Sequence, residues 1–571
     1  MALIASSPLA TAKDKTVELC ILETSDVHGS FFPYDFINRT PCKGSLARLS
    51  TYVKRERERF GDNLLLLDNG DILQGQPTVY YYNFIDTAAP HVTAAMMNYL
   101  RYDAGNMGNH DMETGHAVYD RWIRQCNFPI LGANIIDTAS GKPYLPPYSV
   151  FNRDGVKVAV IGFLTPSIPA WLPENLWAGL RFDDIEESAR KWVKTVREKE
   201  NPDVVVAIIH SGRDHTHTTG NWVENASQLV AERVPGIDIV LFGHDHQFFC
   251  DSVKNANGNE VWMLNPANKA EKVASAHVSL TLRKGKVVKK EISGRLVDIS
   301  ALPVDEDFMA EFKPQYDTVD KFVSQKIGSI SKTISTRNAF FGPSEFIDLT
   351  HSLQLAISGA EVSMAAPLSF DSSIKEGDIL VSDMFKLYKY ENMLYTMRLS
   401  GREIKNYLEM SYDLWTNRME NADDHLLLLK EVPGNGDDGA RALFQNFSYN
   451  FDSAAGIRYT VDVTKPRGEK INILSMADGS AFDMDKDYSV AVNSYRGNGG
   501  GGLLTEGAGI PVDKLNDRII KATDKDLRFY LMEYIKKTGA ICPTTLDLWK
   551  FIPEEWTVPA AKRDYKLLFK D

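Results

Sequence analysis

Metal-binding residue types recur along the first half of the chain just after short apolar runs. Asp26 and His28 follow the run from Val17 to Glu23, and Asp71 follows Asn63 to Leu67. His210 ends Val204 to Ile209, and His244 with His246 follows Ile237 to Phe242. A glycine-rich turn, Gly105 to Asp111, adds Asn109, His110 and Asp111. Apolar runs of this length and β-branched content read as buried strands, and open α/β sheets gather their chemistry beyond the carboxyl ends of such strands. One Asp-x-His after a strand is commonly a turn or a hydrogen-bonded pair. Five ligand clusters in the same register point to one metal centre.

The spacing within Asp26-Val27-His28 and His244-Asp245-His246 lets both side chains of a pair point the same way if the backbone is extended, so each pair can grip one ion. A mixed set of carboxylate, imidazole and amide oxygen suits borderline divalent cations such as Zn, Mn or Fe. His215 and His217 lie in a polar loop near His210 and read as solvated.

Between the apolar runs, Ser45 to Phe60 and Ile185 to Glu200 have helical spacing with charge on one face, giving the alternation of a layered α/β fold. At 571 residues the chain exceeds what one core serves. The polar stretch Val304 to Ile330, with Phe308, Phe312 and Phe322, reads as a helical connector. The expected organisation is a catalytic domain over 16–303, a helical linker over 304–330 and a second α/β domain over 331–571. In that second part Ser344 to Ser358 and Gly401 to Trp415 read as helices, and Leu394 to Leu399, Ile457 to Val463 and Tyr488 to Val492 as strands.

Composition excludes several classes. The formal charge of -12 argues against a binder that neutralises nucleic-acid phosphates. No apolar run approaches the roughly 18 to 20 residues of a membrane helix. Met1 to Ala10 makes a poor signal peptide, and five scattered cysteines without CxxC spacing indicate neither a disulfide framework nor a thiolate zinc site.

The ordered set Asp26-x-His28, Gly70-Asp71, Gly108-Asn109-His110-Asp111, His210 and Gly243-His244-Asp245-His246 resembles that of the calcineurin-like metallophosphoesterases. The resemblance implies a four-layer αββα catalytic domain with two divalent ions. Asp26, His28 and His246 would hold one, Asn109, His210 and His244 the other, with Asp71 bridging. It also implies that His110 is a non-ligand histidine that stabilises the transition state or protonates the leaving oxygen. In the 5'-nucleotidase branch an Asp three residues later orients this histidine. Glu113 stands there, with Asp111 adjacent, so the orienting carboxylate is one of these two.

The second half resembles the C-terminal nucleoside-binding domain of the 5'-nucleotidase family through Asn493-Ser-Tyr495-Arg496-Gly-Asn498, the glycine run to Gly502, and Tyr449-Asn-Phe451. The likeness implies a base sandwiched between Tyr495 and either Phe451 or Tyr449, with Arg496, Asn498 and Asn392 as further substrate residues. The glycine run is not a P-loop, because no Lys-Ser/Thr follows. Where 5'-nucleotidases have Gly-Gly-Asp-Gly this chain has Gly499 to Gly502, so Gly501 replaces a ribose-binding Asp. Tyr390-Glu391-Asn392, Ala365-Ala366-Pro367 and Thr24-Ser25-Asp26-Val27-His28 are instead similar to 2',3'-cyclic-nucleotide 2'-phosphodiesterase/3'-nucleotidases. That resemblance implies hydrolysis of 2',3'-cyclic nucleotides and 3'-nucleotides by a monomeric, bacterial periplasmic or secreted enzyme. The alternatives are a 5'-nucleotidase or nucleotide-sugar hydrolase, a nucleotide-binding protein with an inactive metal site and, last, a DNA nuclease.

Overall fold

The structure is a computed structural model that describes residues 14–214, 218–219, 222–432 and 441–569. Met1 to Ala10, His215 and His217 lie outside the described residues. The described residues form two compact units, one of those within 14–168 and 174–319 and the other of those within 169–173 and 320–569.

The first unit is built on two six-stranded sheets. In one, Lys15–Thr24, Leu64–Asp68, Ala104–Asn106 and Ile130–Leu131 run parallel, with the antiparallel Lys272–Arg283 and Lys286–Asp298 at the side of Lys15–Thr24. In the other, Val156–Leu164, Val204–His210, Ile239–Phe242 and Glu260–Pro266 run parallel between two antiparallel edge strands. Leu19, Ile21, Leu65 and Leu67 of the first sheet meet Val158, Val160, Val206 and Leu241 of the second in one buried core. Burying each such side chain contributes about 1.5–3 kcal/mol. The outer face of the second sheet is covered by Ile185, Ala189, Val193 and Val196, the apolar stripe of the helix Ile185–Glu200. The helix Leu46–Phe60, capped by Ser45 accepting from the Arg48 amide, lies on the first sheet. These are the four αββα layers. The loops that carry Asp26, Asp71, Asn109, His210 and His244 all leave carboxyl ends of parallel strands, because a parallel sheet points those ends to one edge.

The connector is helical over Glu306–Glu311 and Lys313–Val323, and Phe308 and Phe312 pack edge-on against Tyr99. The end of the segment read as helix behaves differently. Lys326–Ile330 is a strand paired with Gly377–Leu380 and Ala540–Ile541, with Ile327 and Ile330 buried.

The second unit centres on a five-stranded sheet, Ser453–Ala455, Val362–Ala365, Asp487–Asn493, Met393–Ser400 and Ile519–Asp526 in spatial order. The helix Gly401–Trp415 begins with a capping box: Ser400 Oγ accepts from the Glu403 amide, and Glu403 Oε2 accepts from the Ser400 amide. It buries Ile404, Tyr407, Leu408, Tyr412 and Trp415 in a core shared with Val490, Val492 and Tyr459. Among the described residues no helix is long and apolar enough to cross a membrane.

Candidate metal centre and nucleoside-recognition segment

The strand-end residues of the first unit converge into two groups. Asp26, His28 and His246 offer ligand atoms within 4.8 Å of one another, and so do Asp71, His210 and His244. Asn109 joins the second group, its Oδ1 lying 3.1 Å from His210 Nε2 and 2.8 Å from His244 Nδ1. Asp71 Oδ2 is 3.1 Å from His210 Nε2, while its Oδ1 accepts from the His110 amide at 2.7 Å.

The backbone route differs from the extended one expected for the i, i+2 pairs. Asp26 (φ 52°), His28 (φ 49°), Asp71 (φ 56°), His244 (φ 76°) and His246 (φ 55°) all adopt left-handed conformations. Each pair therefore brings its side chains together by curling immediately after a strand. Asp and His tolerate this region better than most residues, and such strain is stored where a site needs a fixed geometry. Gly108 belongs to the same packing: a Cβ there would sit 2.2 Å from Asp71 Oδ1 and 2.3 Å from the Asp71 amide.

Electrostatics mark the two groups as cation sites. His28 donates Nδ1–H to the Gln74 carbonyl at 3.1 Å, leaving Nε2 3.1 Å from His246 Nε2. Burial and the neighbouring His246 push the His28 pKa down to about 3, so His28 turns a neutral nitrogen toward His246. Asp26 Oδ1, 3.2 Å from His246 Nε2, is buried and accepts no hydrogen bond. A buried carboxylate oxygen beside the His28 and His246 ring nitrogens is a donor set that fits a cation. In the second group burial works against charge on His210, yet Asp71 and Asp26 hold a proton there up to about 10. That proton stands where a divalent ion would bind, so the donor set fits one ion in each group.

The two carboxylates beside His110 have different tasks. His110 Nδ1 donates to Glu113 Oε2 at 2.6 Å. Asp111 is wholly buried and turned away, its oxygens accepting from the amides of Asp71, Ile72, Leu73 and Gly108 at 2.8 to 2.9 Å. The expectation of Asp111 as a catalytic partner is therefore corrected: it is the cap that holds the Asp71 loop to the Asn109 turn. The His110 ring lies edge-on to His28 at 5.5 Å and stays part-exposed.

In the second unit, Tyr495 and Tyr449 are half-buried and meet edge-on at 6.4 Å. Phe451, expected as one face of a base stack, is wholly buried, stacked on Trp415 at 5.5 Å and edged by Phe444. Its faces are already covered, because the short turn Ser448–Asn450 swings its side chain inward. Phe447, which the sequence reading passed over, is 68% exposed and stacks on Tyr449 at 5.2 Å.

Arg496 is also reassigned. It is buried, pairs with Asp452 at 3.0 Å, and donates to Asn450 Oδ1, the Gly500 carbonyl and the Tyr449 carbonyl. It clamps the Tyr449 turn to the glycine run, and no donor is left for a ligand in a site so filled. Gly501, in the left-handed region at φ 71°, is enforced by that clamp: a Cβ would lie 2.3 Å from both Arg496 Nη1 and Asn450 Oδ1. Asn392 is buried against the Tyr388 hydroxyl, and Asn498 is half-buried beside the Tyr395 hydroxyl.

Sequence reasoning missed Glu224, whose Oε1 lies 3.1 Å from His244 Nε2. It stands 20 residues upstream of that histidine in a polar stretch without strand or helix periodicity, so nothing local signals it.

Residues 20–248 match the calcineurin-like phosphoesterase family, and residues 326–506 match the 5'-nucleotidase C-terminal domain. The chain is 28% identical to the 2',3'-cyclic-nucleotide 2'-phosphodiesterase/3'-nucleotidase of Salmonella typhimurium, with 96% of this chain and 91% of the relative covered. It is also 28% identical to the trifunctional nucleotide phosphoesterase protein YfkN of Bacillus subtilis, where it covers 98% of its own length and spans 40% of that longer protein. The fold is similar to that of the 5'-nucleotidase precursor of Thermus thermophilus, with a TM-score of 0.65 at 21% identity over 94% of this chain and 100% of the other. The chain thus carries a calcineurin-like phosphoesterase domain followed by a 5'-nucleotidase C-terminal domain, over a length similar to that of the Salmonella relative.

Proposed function

We propose that the protein is a two-metal hydrolase that cleaves 2',3'-cyclic nucleotides to 3'-nucleotides and 3'-nucleotides to nucleoside and phosphate. The observation that carries this reading is the convergence of Asp26, His28 and His246 beside Asp71, Asn109, His210 and His244, with His110 held next to them by Glu113. The named relatives support the choice of substrate.

Asp26, His28 and His246 would hold one divalent ion and Asn109, His210 and His244 the other, with the Asp71 carboxylate shared. Zn, Mn and Fe suit these donors. When bound, such a pair of ions acidifies a water and neutralises charge on the phosphate during in-line displacement. His110 supplies the proton: with Nδ1–H donated to Glu113, its Nε2 is the nitrogen that would hold a proton and pass it to the departing ribose oxygen. In the second unit Tyr495 and Tyr449 supply the aromatic faces for the base, with Phe447 backing Tyr449 and Arg496 keeping the Tyr449 turn in place. Stacking of this kind tolerates any base. On the family likeness the enzyme works as a monomer in the periplasm or outside the cell.

Release of phosphate from 3'-AMP and 5'-AMP, and conversion of 2',3'-cyclic AMP, measured side by side, tests the proposal. Turnover of the cyclic and 3' substrates ahead of 5'-AMP is the expected order. Faster cleavage of 5'-AMP would assign the chain to the 5'-nucleotidase activity, and no phosphate release from any of them with metal bound would make it a binding protein.

A further inference from the structure

The imidazoles of the two groups differ in what holds their far nitrogen. His28 Nδ1 donates to the Gln74 carbonyl at 3.1 Å and His210 Nδ1 to the Asn69 carbonyl at 2.7 Å, both neutral backbone acceptors. His244 is turned the other way round. Its Nδ1 faces Asn109 Oδ1 at 2.8 Å, and its Nε2 meets the Glu224 carboxylate at 3.1 Å. Neither partner of that pair is a surface group, their side chains being 13% and 14% exposed. His246, by contrast, is 40% exposed, and among the described residues no hydrogen bond orients its Nδ1.

Glu224 is itself fixed from behind. Ser211 Oγ donates to the Glu224 carbonyl at 2.6 Å and accepts from the Ala226 amide at 2.8 Å. The Gly212 amide donates to Asn225 Oδ1 at 3.0 Å, and Ser227 Oγ donates to the Ser211 carbonyl at 2.7 Å. The segment that carries the carboxylate is thus stitched to the residues directly after His210.

We infer that Glu224 is a positioning residue that makes the two ion sites unequal. Accepting Nε2–H, it fixes the His244 tautomer whose Nδ1 lone pair points at Asn109, His210 and Asp71, and its charge makes that nitrogen a stronger donor. The second group consequently holds its ion more tightly than Asp26, His28 and His246 hold theirs, and the exposed His246 side is the one that exchanges. The inference rests on the two-metal reading above.

Metal-free protein, prepared by dialysis against a chelator, is titrated with Zn²⁺ and separately with Mn²⁺ by calorimetry, and the bound metal is counted by elemental analysis. Wild-type protein is expected to take up two ions with separable affinities. Glu224→Ala should weaken one of them by about 10- to 100-fold, the usual effect of losing a carboxylate behind a ligating histidine, and leave the other in place. Glu224→Gln, whose amide oxygen still accepts Nε2–H, should recover most of that loss. Metal-free Tm values should match wild type in both variants. Two unchanged affinities in Glu224→Ala would overturn the inference while the two-metal reading stood. Equal losses of metal-free Tm in both variants would overturn it too, by showing a purely structural residue. Wild-type protein that binds no metal would instead remove the two-metal reading itself.

Discussion

His110 and Glu113 sit one helical turn apart, with Nδ1 2.6 Å from Oε2, at the start of the helix that begins at Asn109. The separation of i and i+3 stacks the two side chains on one face of that turn. Asn109 and His110 are thereby sorted: the first turns toward His210 and His244, and the second is held beside them by a buried carboxylate. His110→Ala is expected to lower kcat by about 10² to 10⁴ with metal content unchanged. Glu113→Gln should reduce kcat by a smaller factor, because the amide oxygen still accepts Nδ1–H but no longer offsets an imidazolium. Steady-state kinetics paired with elemental analysis checks both, and metal loss in parallel with rate would make His110 a ligand.

Asp111 behaves differently although it is adjacent. Removing its carboxylate in Asp111→Ala strands the amides of Asp71, Ile72, Leu73 and Gly108. Each buried N–H left without an acceptor costs about 1–3 kcal/mol, so with four of them the variant should lose at least ~4 kcal/mol of stability. Thermal or denaturant unfolding of the metal-free protein reads this directly, and an unchanged midpoint would contradict the capping role.

Chelation should abolish activity, and restoring a divalent ion should return it. Among single ligand changes, Asp71→Asn is expected to be the most damaging, since Asp71 faces His210 and also accepts from the His110 amide. Elemental analysis of each variant beside its rate provides the check. Full activity in chelator with no bound transition metal would be incompatible with the proposed chemistry.

The second unit separates recognition from stability. Tyr495→Ala should raise KM for nucleotides by roughly 5- to 150-fold, as expected for loss of ~1–3 kcal/mol of stacking, and spare a small aryl phosphodiester. Arg496→Ala instead leaves Asp452 buried and unpaired, which should cost about 3–5 kcal/mol. Comparing KM for the two substrates with the unfolding midpoint distinguishes the two residues.

Asp348 provides a pH test in the same unit. Burial, with Asp547 and Glu345 nearby, raises its pKa to about 6, although the Leu546 amide donates to it at 2.8 Å. A folded-state pKa above the unfolded value near 3.9 means that the folded chain holds the proton more tightly. The resulting stability is complete below about pH 4 and is lost as pH rises through about 6. Asp348→Asn keeps an acceptor for Leu546 without the charge, so its Tm should exceed wild type at pH 7.5, with the gain shrinking toward pH 4. Melting curves across that range decide it.

The strands and the residues gathered in the two candidate metal groups were legible in the sequence because their signals are local. Buried parallel strands write continuous apolar runs such as Val204–His210, and candidate metal-binding residues placed at their ends lie within a few residues of those runs. The spacing of Asp26 to His28 and of His244 to His246 survives any detail of packing. What that spacing does was decided by tertiary structure: the pairs curl through left-handed backbone, and the loops of the two sheets meet so closely that a Cβ on Gly243 would lie 1.9 Å from Ser25 Oγ. Residues joined across long stretches of chain escaped for the same reason. Asp111 was drawn from His110 to the amides of a loop 40 residues earlier, and Glu224 reached His244 from 20 residues upstream. Aromatic and arginine side chains read alike whether exposed or buried, so only the packed core could turn Phe451 onto Trp415 and Arg496 onto Asp452. Periodicity and motif spacing are properties of a segment, whereas the partner of a polar or aromatic side chain depends on which other segment folds against it.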